Sequence, residues 1–238
     1  MTGSATQRLA QVRARIDRAC VQAGRDPDEI TLVAVGKGIP AERVAELVAL
    51  GVDDVGENKA QEAVAKAAQI ASSRPDLAPR WHFIGQLQRN KARAVAAFAS
   101  MVHSVDRPAL ALALDSAAGH RTQPLDVLLQ VDLDPEPAPG RGGVAAQDFA
   151  ALVEAVLGTE HLVLRGVMTV APAGADARRC FDRLIGYSES LQAVQPSATV
   201  ISAGMSSDLE AAISAGATHV RVGTALFGAR KLASEHRT

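Results

Sequence analysis

The chain has 238 residues, 47% of them hydrophobic and 21% charged, with a formal net charge of −1. That balance describes an ordinary folded protein long enough for a full core, and it lacks the basic excess of a nucleic-acid binder. Aromatics at 3% leave few platforms for stacking bases, and the two cysteines, Cys20 and Cys180, make neither a metal-ligand spacing nor a disulfide framework.

The first twenty residues hold Arg8, Arg13, Arg15 and Arg18 without a continuous apolar run, so no signal peptide is expected. Leu9, Val12, Ile16 and Cys20 recur at helical spacing and predict an amphipathic N-terminal helix. Strands are predicted at 32–35, 53–55, 81–84, 101–105, 126–131, 163–170, 199–202 and 219–222. Helical patterns lie between them at 41–50, 59–70, 89–98, 108–117, 146–157, 178–194 and 209–215, with a last helix beginning near Leu226. Eight strands, each followed by a helix, predict a parallel sheet closed into a single (β/α)8 TIM-type barrel spanning residues 1–238. A doubly wound open sheet is the alternative. No stretch approaches the roughly 20 apolar residues of a membrane span, and a reducing cytoplasm is the expected location.

In a barrel the carboxyl ends of the strands build the site. Those positions are Lys37, Asn58, Gly85, Ser104, Asp132, Met168, Ser202–Ser206 and Arg221–Thr224. The segment 132–143 carries Pro135, Pro137, Pro139, Gly140, Gly142 and Gly143, and is expected as a mobile lid over this face. Lys37 follows an apolar run, where desolvation would free its amine as a nucleophile toward carbonyls. The alternative is a lysine that marks a strand end and extends to solvent. A phosphate-loop reading fails, because Gly38 follows the lysine where Ser or Thr is required.

The last two strand ends supply small, hydroxyl-bearing residues where helices begin, a place where unpaired backbone N–H groups attract phosphate. Ser207 with Glu210 matches a capping box, which leaves Ser206 and the 204–206 amides for an anion. Gly223 permits close backbone approach, and Thr224 offers a hydroxyl and an amide. Alternation sends Val220 and Val222 to the helix layer and Arg221 to the interior, where a guanidinium needs a partner. That partner is either a structural salt bridge or a ligand heteroatom.

Seven blocks occur in order: Val33–Lys37, Gly56–Asn58, Trp81–Lys91 (WHFIGQLQRNK), His103–Asp106, Leu164–Met168, Gly204–Ser206 and Arg221–Thr224. Together they resemble the YggS/PROSC family of pyridoxal phosphate (PLP) homeostasis proteins, itself similar to the N-terminal barrel of alanine racemase. The resemblance runs from about residue 8 to residue 231. It implies PLP held as a Schiff base on Lys37, with phosphate contacts from Ser206, Gly223 and Thr224. It places Ser202 and Met205 at the same end, Arg221 toward the pyridine nitrogen, and Asn58 near the cofactor. His82 shares a face with Ile84 and reads equally as a packed histidine. Two departures stand out: Gly36-Lys37-Gly38 replaces the family's Ser-Lys-Thr, removing two hydroxyls beside the cofactor, and Gln130-Val-Asp132 replaces Gln-Val-Asn.

An arginine at the ring nitrogen disfavours its protonation and damps carbanion chemistry. Racemases of this fold add a tyrosine from a separate β domain. The sequence ends at Thr238, straight after the last barrel unit, so none is expected here, and Tyr187 falls on a helix packing face. The leading expectation is therefore a monomeric, non-catalytic PLP carrier without metal, serving intracellular vitamin B6 homeostasis, with PLP-dependent apo-enzymes as recipients. The alternatives are a minimal fold-type III racemase using Lys37 alone or with His82, and an aldolase-like enzyme.

Overall fold

The computed structural model describes residues 3–134, 142–172 and 174–228. Eight parallel strands close into a barrel in chain order. They are β1 (Thr31–Val35), β2 (Asp54–Glu57), β3 (Arg80–Phe83), β4 (Met101–Val105), β5 (Leu125–Gln130), β6 (Leu162–Met168), β7 (Val200–Ser202) and β8 (His219–Val222). Closure is made by β1 on β8, with Thr31 opposite His219 and Val33 opposite Arg221. Most outward-facing residues are apolar because helices cover them, as a fully covered parallel sheet requires; Glu57 at the end of β2 is an exception. That outer ring is α2 (Ala41–Ala49), α3 (Ala60–Ser73), α4 (Ala92–Ala96), α5 (Pro108–Ala118), α6 (Phe149–Leu157), α7 (Ala177–Gln192), α8 (Leu209–Ala215) and α9 (Thr224–Phe227).

The expected N-terminal helix is α1 (Ala5–Ala23). Ser4 caps it in a reciprocal box with Gln7, and Gly24 ends it in the left-handed conformation. Its buried stripe Leu9, Val12, Ile16 and Cys20 packs with Leu209, Ile213 and Leu226 of the last two helices. Each fully buried aliphatic side chain there contributes roughly 1.5–3 kcal/mol. Cys20 and Cys180 are both buried.

The strand and helix order agrees with the sequence expectation, with three local differences. The helix expected over 89–98 is a 3-10 turn, Arg89–Lys91, followed by the short α4. The sixth strand stops at Met168, and the next residue, Thr169, donates its hydroxyl to the Val131 carbonyl at 2.9 Å. The proline-rich segment expected as a lid falls largely at 135–141, outside the described residues; on its far side Val144 forms an isolated bridge with Val131, just past the end of β5. Gly166 is fixed by space: at φ +155 an added Cβ would lie 1.8 Å from the Val200 carbonyl oxygen. Among the described residues, no helix is long and apolar enough to cross a membrane.

Candidate functional site

At the carboxyl ends of the strands a cavity of about 420 Å³ is walled by Val35, Lys37, Asn58, Ile84, Met205, Ser206, Arg221, Gly223 and Thr224, among others. Seven of the eight expected site residues therefore meet in one place. Lys37 and Arg221 are the charged side chains of this wall, and no acidic side chain joins them among the described residues. The cavity is thus electropositive, with Val35, Ile39, Ile84, Val170 and Phe227 supplying apolar surface. A second cavity of about 420 Å³, beside Arg13, Asp17, Asp54 and Arg80, opens at the strand starts. Barrel proteins do not build their chemistry at that end.

Lys37 differs from its expectation in one respect. It stands two residues past the end of β1 and is exposed at the cavity rim rather than desolvated against the core. Its backbone, by contrast, is clamped. The buried Lys66 ammonium donates to the Gly36 carbonyl at 2.6 Å, to Glu57, and to Glu62 at 3.1 Å, while Glu62 accepts from the Gly38 amide. Burial pushes the Glu57 carboxyl up. Glu62 also feels burial, but the Gly38 amide and Lys66 hold it below the usual carboxylate range.

The flanking glycines correct a second expectation. A Cβ at Gly36 would meet Glu57 Oε1 at 2.7 Å and Val44 Cγ2 at 3.1 Å. A hydroxyl at position 36 would therefore point into the helix layer, not beside a ligand in the cavity. Gly38 sits at φ +69, a conformation that disfavours a β-branched residue.

Ser202 is the site residue that does not line the cavity. It is fully buried one layer beneath, accepting from Arg221 Nη1 at 2.6 Å. Arg221 Nη2 donates to the Thr169 carbonyl at 2.7 Å. A guanidinium has five N–H donors, so these two bonds leave donors for the cavity that Arg221 lines. Burial pulls its pKa down to about 10, so it stays charged at neutral pH. Asn58 Oδ1 is buried and has no hydrogen-bond partner among the described residues. An orphaned acceptor in a ligand-sized cavity wall is a place for a ligand donor.

The loop between β7 and α8 also differs in its capping. Ser207 does not cap α8; Asp208 occupies that position, and its Oδ1 accepts from the Met205 amide at 2.6 Å. Glu210 turns outward to Arg15, with bonds of 2.7 and 2.9 Å. Both Ser206 and Ser207 line the cavity as a result.

Three residues that support the site escaped the sequence reading. Arg15 on α1 reaches the Ser206 carbonyl at 3.0 Å, Arg8 the Leu226 carbonyl at 2.5 Å, and Arg43 on α2 the Phe227 carbonyl at 2.7 Å. They tie the loop before α8 and the short helix α9 to distant helices. No local pattern signals contacts separated by 184 to 218 residues. His82 lies below the cavity, bonded to His103 and Asp54. Tyr187 packs edge-on against Phe149 at 4.8 Å between ring centroids, in the helix layer.

The profile of the alanine racemase N-terminal domain matches residues 8–231. A pyridoxal phosphate homeostasis protein of Pseudomonas aeruginosa is 43% identical over 224 residues, covering 94% of this chain and 95% of the relative. The chain belongs to the pyridoxal phosphate homeostasis protein family. The member from Escherichia coli K12 is 38% identical over 225 residues, covering 93% of this chain and 95% of its own. Synechococcus elongatus PipY with PLP bound superposes with a TM-score of 0.82 at 35% identity, over 94% of this chain and 100% of that one. Alanine racemase of Corynebacterium glutamicum shares the fold at a TM-score of 0.62 and 18% identity. The present chain spans 62% of that enzyme's length.

Proposed function

We propose that this chain binds PLP in the electropositive cavity, anchors it on Lys37, and serves cellular PLP homeostasis without turning over amino acids. One observation carries the reading: a single primary amine, Lys37, shares a cavity with Arg221 and with the hydroxyl-rich loops at 204–207 and 223–224, with no acidic side chain among the described wall residues. When bound, PLP supplies an aldehyde that condenses with a primary amine, releasing water, and a phosphate that needs anion-binding groups.

The residues present fit that group. Ser206 and Thr224 offer hydroxyls, and Gly223 leaves the backbone open to close approach. Asn58 offers its orphaned Oδ1 to a hydroxyl donor. Arg221 lines the cavity with a permanent positive charge, which would keep a proton off a ring nitrogen placed beside it. Met205 and the apolar wall would pack against the ring of the cofactor. Ser202 acts indirectly, by holding Arg221.

The absence of turnover is supported by the wall chemistry. Two-base racemisation needs an acid/base on each side of the substrate. Among the described lining residues no His, Tyr, Cys, Asp or Glu joins Lys37 as a second acid/base. We infer that the chain works as a monomeric cytoplasmic unit that hands PLP to apo-enzymes.

Borohydride reduction of the PLP-loaded protein followed by peptide mapping tests the anchor. A pyridoxyl group on Lys37 is the expected result, and its location on Lys59 or Lys91 would refute the assignment. Exchange of the alpha proton of alanine in deuterated water, no faster than with free PLP, is expected alongside it; sustained exchange well above that rate would make the protein an enzyme.

A further inference from the structure

Beneath the cavity a single file of side chains crosses the barrel interior. Arg221 Nη1 donates to Ser202 Oγ at 2.6 Å, and Ser202 Oγ lies 2.9 Å from His103 Nδ1. His103 Nε2 lies 2.8 Å from His82 Nδ1, and His82 Nε2 lies 2.8 Å from Asp54 Oδ1. Arg80 closes the far end, with bonds of 2.8 and 2.6 Å to the two Asp54 oxygens. Every member from Arg221 to Asp54 is buried. Arg221 stands near the mouth of the barrel and Asp54 at the start of β2, so the file runs from one end toward the other.

The two ends decide the position of every hydrogen between them. A guanidinium only donates, and an ionised carboxylate only accepts. Burial alone would push the Asp54 carboxyl up, but hydrogen bonds from Arg80 and His82 outweigh it and hold it well below the usual carboxylate range. Ser202 accepts from Arg221, so its one hydrogen goes to His103 Nδ1. That leaves the His103 proton on Nε2, donated to His82 Nδ1, and the His82 proton on Nε2, donated to Asp54. Each donor and acceptor in the file is then used. The reverse direction would set a bare His82 Nε2 against the Asp54 carboxylate, or require an imidazolium and leave the Ser202 hydrogen without a place in the file.

Barrel interiors are ordinarily filled by layers of branched aliphatic side chains. Here Met101, Leu128 and Met168 form one such apolar cluster. The other part of the interior holds His82, His103 and His219, with ring centroids 5.0 to 6.3 Å apart. A buried polar file is a weak source of stability compared with apolar packing, yet it imposes a unique arrangement on its members.

We propose that Ser202, His103, His82 and Asp54 form a one-way hydrogen-bond relay that holds the Arg221 guanidinium in a fixed orientation toward the cavity. They are positioning residues for the cofactor's ring, and Asp54 acts on that ring from the opposite side of the barrel interior. The holding of Arg221 is a property of the cofactor-free chain; its effect on the ring rests on the PLP reading above.

The test begins with 15N-labelled, cofactor-free protein at pH 7.5. Long-range 1H–15N correlation should show both His82 and His103 protonated on Nε2 alone, with signals assigned through His82→Gln and His103→Gln. A proton on Nδ1 of either ring would overturn the relay. The Nε–H of Arg221 should exchange about tenfold faster with solvent in Asp54→Asn and in Ser202→Ala, the scale of one lost charge-assisted hydrogen bond. Unchanged exchange in both folded variants would also overturn it. In the loaded protein, Asp54→Asn should shift the cofactor's absorption band while reduction still labels Lys37. A band identical to wild type would confine the relay to structure and refute its action on the ring. Failure of the wild type to take up PLP would instead refute the cofactor reading, while tautomers and arginine exchange report on the relay independently.

Discussion

Replacing Lys66 by methionine probes the clamp beneath Lys37 with little change of volume. In the wild type its ammonium satisfies Glu57, Glu62 and the Gly36 carbonyl, while Glu57 is fully buried and its Oε2 has no partner among the described residues. Lys66→Met therefore strands a carboxylate in the helix layer. Breaking one partner out of a buried pair costs about 3–5 kcal/mol. For a chain of this size each kcal/mol moves Tm by roughly 2–4 °C, so a fall of about 6–20 °C is expected. The stranded carboxylate can escape by taking a proton, since burial already raises the Glu57 pKa above the ordinary 4.5. A carboxyl whose folded pKa is raised binds more protons folded than unfolded, so its penalty is absent below the unfolded value and grows as pH rises. Urea titrations at pH 5 and pH 8 should show the larger loss at pH 8. Adding Glu57→Gln to Lys66→Met should restore much of the stability, because no buried charge remains. A double variant no more stable than the single one, together with a loss equal at both pH values, would refute the stranded-charge reasoning.

Lys37→Ala should abolish the covalent cofactor band yet leave weaker retention of PLP, since charge-assisted hydrogen bonds to an anion contribute about 1.5–3 kcal/mol each; calorimetric titration measures the residue of affinity. Ser206→Ala with Thr224→Val should keep Lys37 reactive but erase most of the preference for PLP over unphosphorylated pyridoxal, and an undiminished preference would put the phosphate elsewhere. Gly36→Ser should lower Tm, because its Cβ lies 2.7 Å from Glu57 Oε1; a neutral result would mean the ion pair yields at no cost. Burial lowers the His219 pKa from 6.5 to about 4. The unfolded chain then binds the extra proton between those values, so stability should fall as pH drops from 6.5 toward 4, with a shallower slope in His219→Gln urea titrations.

Much of the barrel is legible in the sequence because parallel strands buried on both faces read as short apolar runs, each followed by a helical period. The seventh and eighth units show this well, with α8 and β8 falling where the pattern places them. Alternation alone sends Arg221 inward, since Val220 and Val222 must face the helices. Several of the errors at the site concern which neighbour a side chain meets, not which face it is on. Gly36 faces outward by the same alternation, but only the assembled barrel shows that Glu57 and Lys66 fill the space before it. Ser207 has capping chemistry, yet the loop runs one residue further before turning helical, so Asp208 holds the N-cap position and no side chain caps the helix. Lys37 is at a strand end as expected, but Gly36 carries the chain out to the rim.

The site divides into a mouth that sequence patterns reveal and a foundation that they do not. Mouth residues sit at strand ends and inherit their positions from the fold. The foundation is built by long-range polar contacts: Arg15 and Arg8 from the first helix, Lys66 from the third, and the His82–His103 file through the interior. These groups meet no ligand in the cavity, but they fix the backbone on both sides of Lys37, the loop carrying Ser206, and the orientation of Arg221. A chain that only stores PLP has no transition state to stabilise, so its geometry need only hold the cofactor and release it. On the proposed reading, an exposed amine on a rigid base would suit both requirements, because solvent would reach the bond to be broken while Ser206, Arg221 and Thr224 stayed in place.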